Sequence, residues 1–108
     1  MYKYIKSQIQ ILEDVMLKFG RYHQLHKLVE ECSELSRAIS KLTQSRLSNG
    51  YGHEKSHELM LGIISEMIDV EILLYQVFLS MKGDQEFYNF YESEKFRKFQ
   101  KIQKMMEE

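Results

Sequence analysis

Residues 59–81 read LMLGIISEMIDVEILLYQVFLSM, and this stretch decides how the chain folds. Of its 23 residues 16 are apolar, yet Glu66, Asp69 and Glu71 stand in its middle. Stepped at about 100° per residue round a helix axis, it leaves one narrow polar arc of Gly62, Ser65, Glu66, Asp69, Gln76 and Ser80. Outside that arc only Glu71 is polar. A helix that is hydrophobic nearly all round is a buried helix, and carboxylates on it are costly unless paired, protonated or bound to metal. Glu66 and Asp69 therefore need a partner. The same acids argue against a membrane span, where each central Asp costs about 2.5 to 3.5 kcal/mol on insertion scales.

Working outward, the 108 residues make one domain, 1–108, with enough chain for one core. Pro and Trp are absent and Gly is scarce, while Leu, Ile, Met, Lys, Glu and Gln recur throughout, a composition that predicts an all-helical protein. The formal net charge of −1 gives no global field for nucleic acid or for an anionic membrane, so neither is expected as a partner. The single Cys32 has no internal disulfide partner. With no signal peptide visible, the expected location is the reducing cytoplasm.

Ile5, Ile9, Leu12, Val15, Met16 and Phe19 recur at three and four, which predicts a first helix over about residues 2–18. Gly20 suits the left-handed position just past its end. A second helix is predicted over about 22–47, with a heptad-like seam of Leu25, Leu28, Cys32, Leu35, Ile39 and Leu42. On this wheel Glu31 lies about 70° and Glu34 about 130° from the seam centre, and Glu30 points away into solvent. The turn chemistry of Asn49-Gly50 and Gly52 makes 48–53 a loop. A third helix then runs over about 54–81. Gly83 closes it and Asp84 caps a fourth, about 85–106, whose Phe87, Phe90, Tyr91, Phe96, Phe99, Ile102 and Met106 form a stripe read as core.

Two of these helices each offer carboxylates at i and i+3, Glu31 with Glu34 and Glu66 with Asp69. Packed together they place four carboxylates round one point. Like charges raise one another's pKa, and burial adds to that, so such a site calls for cations. An all-oxygen set without His or Cys selects Mg²⁺, or Mn²⁺, over zinc. Residues His53-Glu54-Lys55-Ser56-His57 match the HExxH pattern of zinc proteases, but they lie at a loop-to-helix junction on a chain without strands to hold a peptide, and are read as a polar helix start. His23 and His26 lack a third ligand, and no Glu-x-x-His tetrad of the di-iron kind occurs. Cys32, on the seam, reads as a small buried hydrophobe.

The ordered pair Leu28-Val29-Glu30-Glu31-Cys32-Ser33-Glu34-Leu35 and Ser65-Glu66-Met67-Ile68-Asp69-Val70-Glu71-Ile72 resembles the ExxE and ExxD signature of the all-α nucleoside triphosphate pyrophosphohydrolases, which include the MazG-like proteins and the dimeric dUTPases. Residues 19–24 (FGRYHQ) and 91–98 (YESEKFRK) look like the small stand-alone members found in bacteria and their phages, so that the resemblance covers about residues 5 to 102. One departure is the 31 residues between Glu34 and Glu66, at or beyond the long end of the family's spacing; the excess falls in the predicted loop.

The resemblance implies a four-helix bundle-like MazG-type fold, a dimer or tetramer with its site near the subunit interface, and hydrolysis of a nucleoside triphosphate between its α and β phosphates. It further implies that Glu31, Glu34, Glu66 and Asp69 hold Mg²⁺, that Glu34 also orients water, and that Lys95 and Lys98 reach the phosphate chain. Such an activity would serve nucleotide-pool house-cleaning. The apolar faces of residues 59–81 predict self-association independently, because three other helices of one small chain cannot easily cover both sides. The competing reading is a non-catalytic helical partner protein whose carboxylates make salt bridges to neighbouring helices. Residues 59–81 contain no Lys or Arg, which favours the metal.

Overall fold

The computed structural model describes residues 3–47 and 53–108, with side chains described for 3–44 and 55–108. The Asn49-Gly50 turn, and the side chains of His53 and Glu54 in the HExxH stretch, lie outside the described residues. All regular structure among the described residues is helical: α1 (Lys6–Phe19), α2 (Arg21–Leu47), α3 (His53–Ser80) and α4 (Gln85–Met106). None of these helices is long and apolar enough to cross a membrane.

The chain's turn residues set the boundaries. Gly20 has φ +87°, in the region only glycine enters freely, and its N–H donates to Met16 O at 2.8 Å. It is the single residue between α1 and α2. Gly83 has φ +92°, and Asp84 then caps α4 by accepting from Phe87 N at 3.2 Å. The start of α1 is later than its apolar stripe predicts: Ile5 is extended, and its N–H donates to the Gln8 side chain at 3.0 Å.

The body of the molecule is α2 against α3, with α1 laid across them. On α2 the inward face is Gln24, Leu28, Glu31, Leu35, Ala38 and Leu42. The predicted seam is thus rotated by part of a turn, which leaves Cys32 and Ile39 exposed and makes the buried-hydrophobe reading of Cys32 incorrect. The cause is a polar contact that an apolar pattern does not register. Gln24 and Gln76, 4% and 3% exposed, meet across α2 and α3, with Gln24 Nε2 donating to Gln76 Oε1. A buried amide without such a partner would be costly, so the pair fixes the helix phase.

The inward face of α3 is Leu59, Ile63, Glu66, Val70, Leu73 and Gln76. Its opposite side carries Leu61, Ile64 and Ile68, which are 45 to 52% exposed, so the helix is half-buried in the single chain rather than buried all round. Glu71 finds a partner in α1's approach: the Tyr4 hydroxyl donates to Glu71 Oε1 at 2.7 Å, and the Tyr4 ring stacks on Tyr75 with centroids 4.5 Å apart. Arg21 crosses to the end of α3, donating from Nη2 to the Ser80 carbonyl at 2.8 Å and from Nε to Ser80 Oγ at 3.1 Å. A cation there favours the helix dipole.

The fourth helix departs from the expected bundle. Apart from an edge-on contact of Tyr91 with Phe78, centroids 5.3 Å apart, α4 stands clear of the other helices. Its apolar stripe, which the sequence pattern predicts as core, has no buried residue in the single chain.

Candidate metal centre

Two antiparallel helices bring the carboxylates together. Glu31 and Glu66 lie on the inward faces of α2 and α3 and are half-buried, while Asp69, one turn after Glu66, is at the exposed edge. One oxygen from each lies within 4.8 Å of one from each of the others. None of the three has a hydrogen bond or an ion pair among the described residues. Burial pushes the Glu66 carboxyl above its ordinary value, and the charges of Asp69, Glu31 and Glu34 push the same way, while Arg37 pulls it back.

Glu34 stands beside this cluster rather than in it. Its side chain is half in solvent and accepts from Arg37 Nη2 at 2.9 Å, one turn further along α2. Glu30 is on the solvent side, where it pairs with Lys27 at 3.7 Å and His26 at 3.6 Å. The wheel placed Glu31 on the flank of the α2 seam. With the seam rotated, Glu31 is on its inward face.

A cleft of about 300 Å³ lies beside the cluster along the α2–α3 groove, sharing Glu66 with it and lined also by Glu34, Arg37, Lys41 and Glu58. Lys95 and Lys98 are not among its lining residues. Lys95 pairs with Glu92 at 3.5 Å and sits 5.0 Å from the centroid of the Tyr91 ring, and Lys98 lies with it along the apolar groove of α4. Of the six sequence-derived site residues the single chain therefore converges Glu31, Glu66 and Asp69, sets Glu34 next to them, and leaves both lysines on another helix. The basic residues that do face the cleft, Arg37 and Lys41, were missed. The signal was present, since they continue the Glu34 face at i+3 and i+7.

The donor set suits a hard divalent cation: carboxylate oxygens alone, from two rigid helices, with open space on the cleft side. No family model, curated protein or solved structure matches the chain.

Proposed function

We propose that this chain is a divalent-metal-dependent nucleoside triphosphate pyrophosphohydrolase that works as a homo-oligomer. The observation that carries the reading is the convergence of Glu31, Glu66 and Asp69 within 4.8 Å, in the order and spacing of the ExxE and ExxD motifs. A bound Mg²⁺ or Mn²⁺ supplies polarisation of the phosphate and a lowered pKa for water. The chain's own residues do the rest. Glu31, Glu66 and Asp69 hold the cation, and α2 and α3 keep their oxygens in place before substrate arrives, which is where such catalysis draws its advantage. Glu34, at the solvent edge of the cluster, orients the attacking water and takes its proton. Water oxygen bonds to the α phosphorus, the bond from that phosphorus to the α–β bridging oxygen breaks, and pyrophosphate leaves with the nucleoside monophosphate as second product.

The alternative of a non-catalytic helical protein held by inter-helix salt bridges has less support. All six ion pairs among the described residues join positions three or four apart on one helix, and none involves Glu31, Glu66 or Asp69. The test is a panel of ribo- and deoxynucleoside triphosphates assayed with Mg²⁺ for pyrophosphate release. Hydrolysis that yields orthophosphate instead, or none with any nucleotide, rejects the assignment.

A further inference from the structure

We infer that Arg37 and Lys41 form a subsite for the β and γ phosphates of the substrate and hold the pyrophosphate as it leaves. This rests on the pyrophosphohydrolase reading and adds to it the direction in which the phosphate chain lies. The cleft beside the carboxylate cluster is charged differently along its length. Glu66, with Glu34 beside it, marks the end at the cluster, Arg37 and Lys41 follow along α2, and the remaining acid of the lining, Glu58 on α3, pairs with Lys55. At about 1.5 Å of rise per residue, Arg37 is about 9 Å and Lys41 about 15 Å beyond Glu31 along the axis. Long side chains reach back over part of that distance. With the α phosphate at the carboxylates, the β and γ phosphates fall beside the two cations.

The state of each cation fits this role. Arg37 spends its guanidinium on Glu34 in an exposed pair, 2.9 Å long, the kind of contact that a multiply charged anion displaces readily. Its planar fork matches two phosphate oxygens at once. Lys41 is exposed and has no ion pair among the described residues. Across the groove Glu58 is drawn to Lys55 on its own helix at 3.6 Å. The floor is made by Ala38 and Gly62. Gly62 lies in the interior of α3, and a Cβ built on it meets nothing within 4 Å, so packing does not require a glycine there. A glycine in a helix interior is otherwise unfavourable, and here it leaves the α3 wall of the cleft bare. The cleft volume is at the small end of the range of ligand sites, which suits a diphosphate rather than a whole nucleotide.

The experiment is calorimetric titration of inorganic pyrophosphate into the full-length protein at saturating Mg²⁺, for wild type, Lys41→Gln, Lys41→Arg and the double variant Arg37→Gln/Lys41→Gln. Binding of Mn²⁺ alone, read by electron paramagnetic resonance, is measured on each. The expected result is pyrophosphate binding weakened about tenfold or more by the double variant, a loss of about 1.4 kcal/mol or more, with Lys41→Gln intermediate, Lys41→Arg close to wild type and Mn²⁺ binding retained, not weakened, in every variant. Equal pyrophosphate affinity in wild type and double variant, with Mn²⁺ binding intact, overturns the subsite and leaves the metal centre standing. Absence of Mn²⁺ binding in wild type overturns the metal centre and the subsite with it.

Discussion

At the scale of single residues, the carboxylates of α2 and α3 differ by environment more than by type. Glu30 and Glu31 are neighbours in sequence, but Glu30 makes only exposed pairs with Lys27 and His26, whereas Glu31 faces α3. Exposed pairs are worth about 0 to 1 kcal/mol, so Glu30→Ala leaves activity unchanged and shifts stability by no more than about 0.5 kcal/mol. Glu31→Ala removes hydrolysis. Steady-state rates of the two variants check this, and equal damage by both contradicts the observed phase of α2. Asp69→Ala lowers the rate by about a hundredfold or more, since even residues that only support a metal ligand cost 10 to 100-fold, while circular dichroism stays helical because the loss of one charge relieves the cluster. Glu66 gives a pH dependence whose sign follows from its raised pKa. Its contribution to stability is fully present below the unfolded-state pKa and is lost as pH rises through the folded value. Without metal, therefore, wild type loses stability relative to Glu66→Gln as pH climbs through the window just above the usual carboxylate range. Mg²⁺ favours the ionised form and closes that gap. Thermal melts of both proteins across this window, with and without Mg²⁺, check it; parallel curves contradict the cluster.

At the scale of elements, the helices and their ends were legible because local chemistry writes them. Gly20, Gly83 and Asp84 act where the apolar periodicity stops, and α2, α3 and α4 begin and end within one residue of the positions read from sequence. The phase of α2 was not legible, because the wheel weighs Leu, Ile and Cys32 but not a buried glutamine pair. Gln24 and Gln76 turn the helix until their amides meet, which carries Cys32 outward and Glu31 inward. The convergence of Glu31 with Glu66 and Asp69 was legible from spacing, yet the cleft beside them was not, since Arg37 and Lys41 read as ordinary surface charges until Gly62 is seen opposite them. Gly62 carries an element-scale prediction. With open space round its missing side chain, Gly62→Ala raises the stability of α3 by about 0.8 to 1.0 kcal/mol. Denaturant unfolding measures that difference, and destabilisation by the alanine contradicts the open floor.

At the scale of the whole molecule, one chain is extended and leaves much of its surface open. Its radius of gyration is 17.6 Å, against about 13 Å for a compact domain of this length. Its accessible surface is 8991 Å², against about 6,300 Å² for a folded monomer of this mass. The excess, about 2,600 Å², lies at the upper end of what obligate interfaces remove from each partner, about 1,000 to 2,500 Å². It is also apolar where it matters: Ile64 and Ile68 on α3, and Phe96 and Phe99 on α4 at 66% exposed each. A second copy covering these faces is the expected occupant, and sedimentation equilibrium should give at least twice the chain mass of 13.0 kDa. Phe99→Glu should shift the equilibrium towards monomer, whereas a stable, folded wild-type monomer at micromolar concentration contradicts the expectation. The central claim, that Glu31, Glu66 and Asp69 hold a cation for nucleotide cleavage, is tested most directly on the assembled protein by following pyrophosphate and nucleoside monophosphate from a nucleotide panel with Mg²⁺ and with chelator, for wild type and Asp69→Ala. The account predicts both products in equal amounts, only with metal and only from wild type; release that persists in chelator or in Asp69→Ala, or no release from any nucleotide, contradicts it.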